Sequence, residues 1–387
     1  MNFRNIIKKY KKLKCPEGVF NPCTLPYDRN KYFVICTERS VGKTTNVLLF
    51  GMCANWLENI QIQYVREYSD MIERRNLRTL FSTILEFDYV TKVTEGRWHN
   101  VIYKSHGWYY CNYNEDGQLE ECAAVPFMMC LSIDQTDLYK SSYNAPRGDI
   151  ILFDEFVSIN RRTMQDSFIR WCDLTKTIIR SRGQSLADGP IIFMLANTID
   201  RNHQYFYEME LNDIVNSMPL GTNAETITHG GTPIYVDFYA PGVSPEKAAH
   251  NKLYYGFKNK KLGAITGKDW SITPMPHPQA DDSRRILARC WYILYEDRWI
   301  NLELCINDND GVHIIAHFAK EPSRKDSIIY SMGLMLDYRY HYKFGHTPAD
   351  KRIWTLYERK KFYYASNAVG AVVDKYYQIA KDYRRLY

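Results

Sequence analysis

Three short apolar runs, each breaking off at a polar tip, set the pattern of the first half of the chain. They are Tyr32–Cys36 before Thr37-Glu38-Arg39, Ile150–Phe153 before Asp154-Glu155, and Ile191–Ala196 before Asn197-Thr198. Runs of this length, apolar at every position, predict strands covered on both faces, as in a mainly parallel sheet. Gln61–Arg66 predicts a further strand, and the apolar positions from Val47 to Leu57 predict a helix directly behind the first tip. Asn5–Lys14 sets Ile6, Ile7, Tyr10 and Leu13 among five lysines and predicts an amphipathic helix with a basic face. That face reads either as a solvated cap on the domain or as a nucleic-acid contact.

The pattern then changes along the chain. Ser69 to Phe87 predicts a charged helix, and Trp98–Lys104 with Trp108–Tyr113 a hairpin turned around Ser105-His106-Gly107. Ala123–Ser132 and Ile234–Tyr239 predict two more strands. Pro241 to Lys268 reads as a connector holding a short helix near Pro245-Glu246-Lys247, and Pro274, Pro276 and Pro278 mark a boundary. Beyond it lie three β-like runs, Ile286–Tyr295, Trp299–Ile306 and Val312–Phe318, the last two joined by the turn Asn307–Gly311. Two helices are predicted after them, Arg324–Arg339 and Ala368–Leu386. The expected division is therefore an α/β domain over 1–240, a linker over 241–280 and a smaller α+β domain over 281–387.

A chain of 387 residues has room for these two domains, and 45% hydrophobic with 24% charged residues is ordinary for a globular protein. A net charge of +6 suits a nucleic-acid partner without requiring one. None of the 10 cysteines forms a Cys-x-x-Cys pair, so neither zinc nor a disulfide framework is indicated, and a reduced cytoplasm is expected. No apolar run is long enough to span a bilayer, so no membrane partner is expected.

The first polar tip carries the chemistry. Gly42-Lys43-Thr44 follows a buried strand and opens a helix, as in a phosphate-binding P-loop, although Thr37 stands where that pattern has its first glycine. Backbone N–H groups from Thr37 through Glu38, Arg39, Ser40, Val41, Gly42, Lys43 and Thr44 to Thr45 would cradle nucleotide phosphates. Lys43 would reach the β/γ-phosphates and the Thr44 hydroxyl would ligate Mg²⁺. Asp154 at the second tip would complete the metal shell, and Glu155 would activate the attacking water. Asn197, at the third tip, is either a sensor of the γ-phosphate and lytic water or a turn residue.

With these pieces the chain resembles viral genome-packaging ATPases. It is most similar to the encapsidation ATPases of small, phi-twenty-nine-like short-tailed phages, relatives of the large terminase subunit. The residues that carry the resemblance are Glu38–Thr45, Ile150–Glu155, Ile191–Thr198 and Ile179-Arg180-Ser181-Arg182. It implies a P-loop ATPase of the ASCE type, with an extra central strand and a catalytic glutamate, followed by a linker and an RNase H-like domain. It also implies ATP and Mg²⁺ as cofactors, double-stranded DNA as cargo, and a pentameric ring on the portal of a procapsid in the host cytoplasm. A structural packaging RNA is a further partner of such motors. Arg39 matches a family habit and joins the catalytic candidates. Arg180, then Arg182, would act on a neighbouring subunit's nucleotide, with Lys140 at the same interface; each is equally readable as a surface salt bridge. Arg66, Arg74 and Arg75 are candidate DNA contacts. The first β-run of the last domain has no carboxylate and Glu303 stands alone on the second, so no nuclease is expected. A helicase or chromosome translocase would share every ATPase motif, a guanine-nucleotide switch lacks its Asn-Lys-x-Asp here, and a non-hydrolysing portal adaptor would not need Glu155.

Overall fold

The structure, a computed structural model, describes residues 1–37, 41–143, 148–157, 164, 166–179, 190–197, 201, 203–219, 221–240, 275–295, 298–332, 337–342 and 347–383. The chain divides into two compact units, Met1–Ser271 and Ile272–Tyr387.

In the N-terminal unit, α1 (Phe3–Lys12), β1 (Tyr32–Thr37), α2 (Lys43–Glu58) and β2 (Ile62–Arg66) come first. The short helices α3 (Arg74–Leu77), α4 (Ser82–Glu86) and α5 (Tyr89–Val93) lead to β3 (Asn100–Lys104), β4 (Gly107–Tyr113), β5 (Leu119–Cys122) and β6 (Met128–Ser132). Next are α6 (Thr136–Ser142), β7 (Ile150–Asp154), α7 (Ser167–Ile179) and β8 (Ile191–Asn197). The unit closes with α8 (Gln204–Glu208), α9 (Asn212–Ser217), β9 (Asn223–Ile227) and β10 (Pro233–Asp237).

These strands form a ten-stranded sheet in the order β3-β4-β6-β2-β7-β8-β1-β10-β9, with β5 paired to β4. From β6 to β10 along that path every pairing is parallel. Both faces are buried, which is why the strands are apolar throughout: Phe33 and Ile35 enter one core, Val34 and Cys36 the other. β8 lies between β1 and β7, so the expected extra central strand is present and the fold is that of an ASCE P-loop ATPase core. The first and second polar tips are therefore separated by a strand and are not on neighbouring strands. Helix α2 packs closely enough on the sheet that a Cβ at Gly51 would sit 2.6 Å from Ile62 Cδ1.

Three expectations need correction. The helix predicted from Ser69 to Phe87 is a 3-10 turn (Ser69–Ile72) followed by α3 and α4. Leu77, Phe81 and Ile84 keep the i, i+4, i+7 spacing of one helix face, but Ile72, five residues before Leu77, falls about 140° away from it, so one straight helix cannot bury all four. β6 begins at Met128, not Ala123, because Pro126 has no N–H to offer between β4 and β2. The predicted helix Arg324–Arg339 contains the strand β14 (Ile328–Ser331) instead. The short helix near Pro245-Glu246-Lys247 lies outside the described residues.

In the C-terminal unit, β11 (Arg285–Tyr295), β12 (Arg298–Asn307) and β13 (Gly311–Ala319) form an antiparallel meander. β14 and β15 (Tyr340–Tyr342) add in parallel beside β11. The remaining elements are α10 (Pro348–Glu358), β16 (Phe362–Tyr364) and α11 (Asn367–Tyr383). The order β15-β14-β11-β12-β13-β16 contains the RNase H-like arrangement, with β16 added at one edge. The turn Asn307–Gly311 is held by Asn307 Oδ1, which accepts from Asp310 N at 2.7 Å, and by Gly311 at φ +64°. Glu303 on β12 is paired with Arg289 at 2.7 Å.

Candidate nucleotide site

The P-loop sits where β1 hands over to α2. Thr37 is buried and still extended, in register with Asn197 of β8, so the position that usually needs glycine is here the last residue of a strand. Gly42, at φ +71°, is where the left-handed turn falls; a Cβ there would come within 2.9 Å of Asn46 Nδ2. Gly42 caps α2 without a side-chain hydrogen bond, which leaves the first-turn N–H groups available to an anion. The wall behind the loop is fixed by Phe20 N, which donates to Val41 O at 2.9 Å. Val41 is buried and Thr45 half-buried; Glu38, Arg39 and Ser40 lie outside the described residues.

Lys43 is buried and its Nζ donates to Asn197 Oδ1 at 2.7 Å. The first and third tips therefore meet directly, and an amide at the end of β8 holds the lysine extended. Thr44 Oγ1 donates to Asp154 Oδ1 at 2.9 Å, bridging from α2 across β8 to the end of β7. The other Asp154 oxygen accepts from Tyr64 OH at 3.0 Å and faces Arg66 Nη1 at 3.5 Å. Arg66 Nη2 binds Glu155 Oε2 at 2.6 Å. Glu155 itself, half exposed, turns off the strand with φ +55°.

Burial pushes the Tyr64 phenol well above its ordinary pKa, and the Asp154 charge adds to that, so it stays a hydrogen-bond donor. Burial works against the Arg66 charge, but Tyr64, Asp154 and Glu155 around it raise its pKa above the ordinary arginine value. A cavity of about 410 Å³ opens on this corner, lined among others by Thr44, Tyr64, Arg66, Thr79 and Asp154. Among the described residues no three His, Cys, Asp or Glu side chains converge. The hydroxyl–carboxylate corner is the donor set that suits Mg²⁺, which is held by one or two protein oxygens while substrate phosphates and water fill the rest of its shell.

The other candidates land in different places. Arg66, a candidate DNA contact from the sequence, is drawn inward to Asp154 and Glu155. Arg74 and Arg75 are exposed on α3, Arg75 beside Glu73 at 2.8 Å. Lys140 on α6 binds Asp137 at 2.9 Å and Asp173 of α7 at 3.1 Å, so its described partners are within its own chain. Arg180 and Arg182 follow the end of α7 and lie outside the described residues, as does Thr198. Sequence reasoning missed Tyr64. The signal was its spacing of two from Arg66 on β2, which puts both side chains on one face of the strand beside β7.

No protein-family model and no curated protein matches the sequence. Among solved structures, the fold is similar to that of two phage DNA packaging motors. The chain matches the Phi-28 gp11 DNA packaging motor at 15% identity with a TM-score of 0.58, covering 94% of this chain and 98% of that one. It matches the bacteriophage Phi-29 viral genome packaging motor assembly at 16% identity with a TM-score of 0.57, covering 94% and 99%. At such identities the likeness is one of fold, and it runs through nearly the whole length of both chains.

Proposed function

We propose that the chain is an ATP-hydrolysing motor that drives double-stranded viral DNA into a procapsid through its portal. The observation that carries the reading is the Thr44–Asp154 bond of 2.9 Å, with Glu155 next in sequence. It joins a phosphate loop to a carboxylate strand tip in one corner, the arrangement that phosphoryl transfer from a nucleotide requires. In this reading Lys43 and the α2 N-terminus hold the phosphates, and Asn197 orients Lys43 and the γ-phosphate. Thr44 and Asp154 would hold Mg²⁺, which when bound offsets charge on the β/γ oxygens. Glu155 takes the proton of the attacking water once it leaves Arg66. Fold likeness to the Phi-28 and Phi-29 motors over 94% of the chain supports the packaging role. For the assembly we propose a pentameric ring on the portal, with a packaging RNA as partner and Arg180 or Arg182 reaching the neighbour's nucleotide.

We take 1–240 as the motor domain, 241–280 as linker, and 281–387 as a domain without nuclease activity that docks on RNA or capsid. Arg74 and Arg75 stay candidate DNA contacts, and Arg39 a catalytic one. The decisive experiment is ATP-dependent protection of duplex DNA from nuclease by portal-bearing capsids. Glu155→Gln is expected to lower steady-state ATP turnover at least about 100-fold while nucleotide binding persists. Turnover stimulated by DNA but indifferent to procapsids would favour a helicase or other translocase, and no phosphate release at all a portal adaptor.

A further inference from the structure

Helix α1 is not used by the proposed chemistry, yet its charge is extreme: five of its ten residues are cations and none is an acid. It lies antiparallel to α2. Asn2 N bonds Glu58 Oε1 at 2.6 Å at one end, and Tyr10 OH bonds Asn46 Oδ1 at 2.7 Å at the other. Ile6 and Tyr10 are buried in that seam. Lys9 points inward and is neutralised by Glu95 at 2.7 Å. Arg4, Lys8, Lys11 and Lys12 are exposed, and their spacing of four, three and one residues puts them on the outer face. None of these four forms an ion pair among the described residues.

Helix electrostatics accounts for part of this only. The macrodipole favours Lys11 and Lys12 in the last turn, but disfavours Arg4 in the first. Like charges four apart, such as Arg4 and Lys8 or Lys8 and Lys12, repel by a few tenths of a kcal/mol each. Four unpaired cations held on a helix pinned at both ends form a preorganised surface for an external polyanion. The stripe runs about 12 Å along the helix, a span over which a duplex presents several phosphates. Three of the four are lysines, point charges that bind phosphate without reading sequence. That is what cargo of arbitrary sequence needs. The same helix touches the nucleotide site through one relay, because Asn46 Nδ2 also donates to Gly42 O at 2.9 Å.

We propose that the outer face of α1, formed by Arg4, Lys8, Lys11 and Lys12, grips the sugar–phosphate backbone of double-stranded DNA. The choice of DNA among polyanions rests on the motor reading above. The test is binding of a labelled random-sequence duplex across a salt series by the full chain and by the variant Arg4→Gln/Lys8→Gln/Lys11→Gln/Lys12→Gln. Glutamine keeps helix propensity, and unchanged basal ATP turnover reports that the variant is folded. The expected result is at least a tenfold loss of affinity near 0.1 M salt, with the slope of log K against log salt reduced by roughly 3. Lys9→Gln, which removes the inward cation, should leave both unchanged. A quadruple variant with wild-type affinity and slope would overturn this proposal and leave the motor reading standing. So would an equal per-charge loss in Lys9→Gln, or a loss seen with duplex RNA and not with DNA. A wild-type chain that binds no duplex DNA would overturn both.

Discussion

Arg66 is the residue whose position most changes the picture. A guanidinium 2.6 Å from Glu155 and 3.5 Å from Asp154 holds the proposed base and the proposed metal ligand together before nucleotide arrives. Arg66→Ala should lower kcat for ATP at least about tenfold, because Asp154 loses the cation that fixes its second oxygen. Duplex-DNA affinity and its salt slope should stay unchanged; a lost slope with intact kcat would return Arg66 to the DNA surface. Asp237 offers a test in the opposite sense. It closes β10 beside Ile35 of β1, and burial pushes its carboxyl up to about 6. With the folded pKa above the unfolded one, both states are protonated below about pH 4 and nothing is lost. Between there and pH 6 the unfolded chain ionises first, so stability declines, and above pH 6 the loss is complete. Asp237→Asn should raise Tm at pH 7, by the equivalent of roughly 1–2 kcal/mol, and flatten the decline across that window. Parallel pH curves for the two proteins would refute it.

At the scale of elements, the approach of α2 to β2 decides whether the P-loop helix and the Asp154 strand stay in register. Gly51 makes that approach possible, since any Cβ there lies 2.6 Å from Ile62 Cδ1. Gly51→Val should destabilise the fold by roughly 1–3 kcal/mol through overpacking. Adding Ile62→Ala should recover part of that loss, and a double-mutant cycle by chemical denaturation reads the coupling. Additive losses would mean that the two side chains do not meet. The strands that were legible from the sequence were those with one unambiguous signal. Ile150–Phe153 and Ile191–Ala196 are apolar at every position because both faces are covered. Ile328–Ser331 was not legible: its burial comes from β11 and β15, which are separated from it in sequence, and the apolar run continues past it through Met332–Leu336, which reads like a longer helix. The helix α10 escaped notice too, although Thr347 and Asp350 form a capping box at its start.

At the scale of the molecule, each unit has its own sheet and core, and no helix among the described residues is long and apolar enough to cross a membrane. The proposed ring makes a prediction that no single subunit can satisfy. Arg180→Ala and Glu155→Gln chains should each be nearly inactive alone. Mixed in one ring they should regain a measurable fraction of ATP turnover, because an intact arginine then faces an intact glutamate across some interfaces. Activity that never exceeds the sum of the separate variants would place Arg180 in its own subunit's site, or outside catalysis.

The linear order of residues was enough to single out Gly42-Lys43-Thr44, the Asp154-Glu155 tip, the Asn197 tip and the change of character near Pro274. Each depends on neighbours in sequence: a buried strand, a sharp turn, a helix start. Only the tertiary structure decided that β8 slots between β1 and β7, that Lys43 meets Asn197, and that Tyr64 and Arg66 close on Asp154. Those pairings join residues far apart in the chain, and their partners are chosen by strand order, which side-chain pattern alone does not encode.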